Sequence, residues 1–193
     1  MEQLLICGDS FSADWSVKYP IIGWPNMLTQ DYDVTNLSQA GCSEYKIYQQ
    51  LISVNLDLFD RVIIAHTSPY RIYVEQHPIH NQDVLHKNSD LIYSDLVSHL
   101  DTHPELKSTV DFFEQHFSIK YAEFIHRLIC EEINKLVIDL PVIHMINFEG
   151  QYPFTHSIDF SLLFKTNRGT INHYDEKANK LIYNKLKLLL QSV

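Results

Sequence analysis

Four short apolar runs punctuate the chain, and each ends on small or polar residues. Leu4 to Cys7 comes first, immediately before Gly8-Asp9-Ser10-Phe11-Ser12. Asp33 to Leu37 is a weaker second run. Arg61 to His66 ("RVIIAH") is the strongest, and Pro141 to Phe148 ("PVIHMINF") is the fourth. Continuous apolar runs of this kind predict parallel strands covered on both faces. Between them the apolar positions change to helical spacing. Ile47, Leu51 and Val54 follow Ser43, a candidate N-cap. In "SIKYAEFIHRLICEEINKLV" the positions Ala122, Ile125, Ile129, Ile133 and Leu136 form one stripe. "DEKANKLIYNKLKLLL" repeats the pattern with Ala178, Ile182, Leu186 and Leu189. Strands alternating with helices predict right-handed βαβ units and an open parallel α/β sheet.

The stretch from about Tyr70 to Ser118 breaks the alternation. It is rich in His, Asp and Ser and has no long apolar run. It is expected to be an insertion after the third strand, partly helical around "DLIYSDLVSHL". Ligands of such sheets sit at the carboxyl ends of the strands, so this insertion should hang over the site.

Composition narrows the class. The 193 residues, 45% hydrophobic and 20% charged, suit one globular domain spanning 1–193. A formal net charge of −9 argues against nucleic acid or an anionic membrane surface as the main partner. The first apolar run is too short for a secretory leader and has no basic region before it. Cys7, Cys42 and Cys130 are scattered, which suits free thiols in a reducing compartment. A cytoplasmic location is therefore expected, with no cofactor or metal. The sequence leaves the oligomeric state open.

The strand ends carry the candidate chemistry. Strand one ends on "GDS", strand two is followed by "NLSQAGCSEY", strand three ends on "HTSPYR", and His173 stands in "TINHYDEKAN" before the last helix. A serine, a backbone N–H at a helix start and a histidine are the parts that acyl transfer needs. In their order and spacing, "GDSFS", Gly41 in "NLSQAGCS" and the late His173 resemble the SGNH, or GDSL-type, hydrolases over nearly the whole chain. The resemblance implies a flavodoxin-like three-layer α/β/α sandwich. It implies Ser10 as nucleophile and His173 as general base. It also implies an oxyanion hole made by the Ser10 and Gly41 N–H groups and a side chain from the loop after strand three. "GDSFS" is not the G-x-S-x-G elbow of α/β-hydrolases.

Two positions depart from the family. Its third block is usually Gly-x-Asn-Asp, whereas this chain has His66-Thr67-Ser68-Pro69. Ser68 stands where the Asn donor would be, and its hydroxyl or that of Thr67 can donate instead. The family acid three residues before the histidine is replaced by Thr170. Asp175 lies two residues after His173, at the N-cap position of the last helix. Asp9 suits a turn that bonds backbone amides. Asp9, Thr67 and Arg71 are the candidates for the substrate-binding site, with Arg71 offered either to a substrate anion or to a surface ion pair.

Other features read more plainly. His77, His80 and His86 in "HPIHNQDVLH" suit a solvated loop better than a metal site. His66 and His144 suit satisfied core or site-lining positions. Trp15, Trp24 and Tyr70 are candidate pocket walls, with core packing favoured for Trp24. The expected function is a serine esterase acting on a small O-acyl ester such as an acetylated sugar. An O-acyltransferase using the same acyl-enzyme is the alternative, as is a degenerate member that binds a glycan or a protein.

Overall fold

The computed structural model describes residues 1–150, 152–154, 157–169 and 173–192. Five strands form one all-parallel sheet in the order β2-β1-β3-β4-β5. They are β1 (Gln3–Gly8), β2 (Asp33–Asn36), β3 (Arg61–His66), β4 (Val142–Ile146) and β5 (Ser157–Asp159). The helices are α1 (Trp24–Leu28), α2 (Glu44–Ile52), α3 (Tyr93–His99), α4 (Lys107–His116), α5 (Ile119–Leu136), α6 (Ser161–Thr166) and α7 (Glu176–Leu190). The result is a three-layer α/β/α sandwich with a flavodoxin-like topology.

The pleat of each strand sorts its side chains between two cores. Leu4, Ile6, Ile63, Ala65, Ile143 and Met145 meet Trp24, Leu28, Ala178, Ile182 and Leu186 on one face. Leu5, Cys7, Val62 and Ile64 meet Ile47, Leu51, Ile133 and Val137 on the other. This two-sided burial is why β1 and β3 read as unbroken apolar runs. The strand β5 has no such run. It is three residues long with an exposed–intermediate–exposed pattern, and the sequence gives no sign of it.

The stripe expected on α5 divides between two surfaces. Ile133 is buried as expected and Ile129 packs against the same core, but the other buried positions are His126 and Cys130, outside the expected stripe. Ala122 and Ile125 line a groove together with Ile129, and Leu136 is exposed. The helix is apolar over a wider arc than one contact face requires.

The insertion folds back on the sheet with a small core of its own, built from Leu96, Leu106, Val110 and Phe113. An antiparallel bridge between Ile72 and Leu91 closes its base. Among the described residues, no helix is long and apolar enough to cross a membrane.

Candidate active site

Because all strands run parallel, their carboxyl ends share one edge. Ser10, Gly41, Ser68, Arg71 and His173, drawn from four loops, line one cavity of about 380 Å³ there. The insertion contributes His80, His86, Ser89, Asp90 and Asp95 to the same cavity, so it does cover this edge.

Ser10 sits in a tight turn off β1. The Asp9 carbonyl accepts from Ser12 and Ala13 N–H, both at 3.1 Å. The Asp9 carboxylate accepts from Phe11 N–H at 2.9 Å, which is the turn-ordering role expected of it. Trp15 donates its indole N–H to the Ser10 carbonyl at 2.7 Å. The same indole lies 4.4 Å, centroid to centroid, from the His173 ring, and Phe11 lies 5.0 Å from it. Trp15 thus braces both halves of the candidate dyad. Trp24 is fully buried core, and Tyr70 lies outside this cavity.

Gly41 has φ +76°, a conformation that suits glycine. A Cβ there would stand 2.6 Å from Ser89 Cβ. The insertion therefore rests directly on this turn, and Asp90 locks it. Asp90 N–H donates to the Gly41 carbonyl at 2.9 Å. Its carboxylate accepts from Ser43 N–H at 2.7 Å and pairs with Lys46 at 2.8 Å. Ser43 occupies the N-cap position of α2, but its side chain makes no capping bond.

Asp9 and Thr67 have no exposed surface and do not line the cavity. Both were expected to bind substrate. Burial raises the Asp9 carboxyl to about 6, against the lowering pull of Phe11 N–H and the Arg71 charge.

Sequence reasoning missed a buried polar network under Thr67. Glu44, the first residue of α2, bonds His66 Nδ1 at 2.6 Å and accepts from Thr67 N–H at 3.1 Å. His66 Nε2 meets His144 Nδ1 at 2.9 Å. His126 Nε2 donates to the Thr67 carbonyl at 2.9 Å and lies 3.3 Å from Glu44. Burial alone would raise the Glu44 carboxyl, but His66 and His126 outweigh it and hold it below the usual carboxylate range. Burial works to lower His126, and Glu44 more than reverses this. The network fixes both backbone groups of Thr67 and hence the approach to Ser68. His66 and His144, read as satisfied core or site-lining positions, were its sequence signal, and Glu44 and His126 were the members without one.

Asp175 caps α7, accepting from Ala178 N–H at 2.7 Å. Thr170 lies outside the described residues.

Two clusters place three potential metal ligands within 4.8 Å of one another, Glu44–His66–Cys130 and His77–His80–Asp95. In the first, burial holds the Cys130 thiol well above its ordinary range, and Glu44 is committed to its hydrogen bonds. In the second, His77 Nδ1 accepts from Ile79 and His80 N–H at 3.3 Å each, which leaves the proton on Nε2. That nitrogen lies 3.5 Å from Asp95 without forming a hydrogen bond, and its proton stands where a metal would need a lone pair. The segment is a loop open to solvent at most positions, as expected, and His77 is the exception. His77 has no exposed surface, and its ring stacks 4.4 Å from that of His80.

Compared with known proteins, the chain matches no protein-family model and no curated protein.

Proposed function

We propose that the chain is a serine hydrolase of the SGNH type that cleaves esters through an acyl-enzyme. The observation that carries this reading is the meeting of Ser10, Gly41, Ser68 and His173, from four separate loops, around one cavity. Ser10 Oγ attacks the ester carbonyl carbon, and His173 takes the hydroxyl proton. The oxyanion is held by the Ser10 and Gly41 N–H groups and by the Ser68 hydroxyl. The tetrahedral intermediate collapses, and the alcohol leaves with the proton from His173. Water, deprotonated by His173, then releases the acid and restores Ser10. A small O-acyl group on a sugar is the expected substrate type. The Asp175 carboxylate serves the helix cap, which leaves the orientation of His173 to other groups.

A serine-reactive fluorophosphonate, followed by mass mapping, tests the assignment. Label on Ser10, absent from Ser10→Ala and reduced in His173→Ala, is expected. Turnover of a short-chain aryl ester should vanish in Ser10→Ala while the melting temperature holds. Label elsewhere, or retained turnover, defeats the reading. Adding a sugar acceptor and finding acyl transfer in place of acid release would identify an acyltransferase.

A further inference from the structure

Arg71 leaves β3 toward the insertion and stands where two cavities meet. One is the polar cavity around Ser10. The other is a groove of about 710 Å³, lined by Ile72, Phe112, Phe117, Ala122, Ile125 and Ile129 among others. Ser68 and Arg71 line both. The two spaces therefore adjoin at the residue proposed as third oxyanion donor, and each falls in the size range of small-molecule sites.

The guanidinium is uncommitted. Arg71 Nε is buried without a hydrogen-bond partner. Among the described residues no carboxylate lies within ion-pair distance of it. This removes the surface ion pair as an account of the residue. Its charge favours the Asp9 carboxylate without forming an ion pair with it. The two acids lining the polar cavity are engaged elsewhere. Asp90 holds Lys46, Ser43 and Val74, and Asp95 holds His80 at 3.0 Å. A half-buried arginine with free donors, placed beside a nucleophile, is suited to a planar or tetrahedral oxyanion group.

We infer that the substrate is an amphiphilic ester. A carboxylate or phosphate beside the scissile bond binds Arg71, and an apolar arm lies in the groove between α4 and α5. This rests on the proposed function for the position of the scissile bond, and it extends the substrate beyond an acetylated sugar. The groove shares Ser68 and Arg71 with the Ser10 cavity, and this shared wall selects a substrate arm over a partner protein as occupant.

Binding to Ser10→Ala tests it without turnover. Octyl phosphate should bind at least 10-fold more tightly than octyl glucoside, which has the same chain and no charge. Arg71→Gln in that background should weaken octyl phosphate by on the order of 10- to 100-fold and leave octyl glucoside unchanged. Arg71→Lys should recover part of the loss. Ala122→Trp, which fills the groove, should weaken both octyl ligands and spare inorganic phosphate. Equal affinity for the two octyl ligands, or octyl phosphate binding indifferent to Arg71→Gln in a folded variant, overturns the inference. Failure of fluorophosphonate to label Ser10 would instead strike the hydrolase reading and leave these binding results to stand by themselves.

Discussion

Asp9 has no contact with solvent, and its chemistry follows from that. Its carboxyl titrates near 3.8 in an unfolded chain and at about 6 in the fold, because burial penalises the anion. Between those values the folded state holds more proton than the unfolded one, so stability falls as pH rises through that window. Above it the penalty is constant. Asp9→Asn keeps an oxygen for Phe11 N–H and removes the titration. Its advantage over wild type should grow by on the order of 2 kcal/mol between pH 4 and pH 7. Urea midpoints across that range measure it, and a flat difference would mean that Asp9 titrates normally. Asp175 differs because its carboxylate accepts a backbone N–H at the start of α7. Asp175→Asn should cost about 1 kcal/mol or less and keep the ester hydrolysis rate. If it were as inactive as His173→Ala while still folded, Asp175 would orient the histidine. That Ser10, Gly41 and Ser68 would meet around one cavity was readable because each follows a strand, and His173 was placed there by its position before the last helix. Glu44, Asp90 and His126 were not legible in the sequence. Each is a polar residue on a helix or insertion, and their main partners are 22, 47 and 59 residues away.

The turn from β2 to α2 is the element on which the site depends most. It pairs a left-handed Gly41 with an insertion residue resting on it. Gly41→Ala meets two obstacles, the positive φ and a Cβ 2.6 Å from Ser89 Cβ. Backbone strain at such a position costs about 1–3 kcal/mol before any clash is counted. Adding Ser89→Gly removes the Cβ collision and leaves a contact of 3.4 Å to the residue's Cα. The double variant should therefore recover part of the stability lost, and thermal melts of the set would show it. A double variant no better than Gly41→Ala would assign the whole cost to the backbone. The helix α5 shows the same division between legible and hidden. Ile129 and Ile133 of the expected stripe do meet the sheet core. The rest of the stripe does not, because a helix apolar on two sides has no unique stripe and the groove that takes Ala122 and Ile125 is made by distant chain.

At the scale of the molecule, the sheet and the insertion are separate packing units joined at few places. The parallel order was readable because buried strands need apolar runs. The insertion was recognised by the lack of such a run, although Leu106, Val110 and Phe113 already stood at helical spacing within it. Four buried side chains distributed over 18 residues give too little local contrast to announce a core. That core is detached from the two clusters that cover the sheet. Its links to the site include Ser89 against Gly41, the bonds of Asp90, Lys46 to the Asn88 carbonyl and Trp15 against His86. Leu96 is fully buried at its centre, and Leu96→Ala should cost about 2–5 kcal/mol. The loss should be confined to the insertion, since a unit with its own core opens locally at less cost than the whole chain. Hydrogen exchange should then speed up in α3 and α4 while β1, β3 and β4 keep their protection. Ester hydrolysis should fall with it, because the released insertion no longer holds Gly41 or walls the cavity. Equal loss of protection in the sheet would mean that the insertion and the sandwich fold as a single unit.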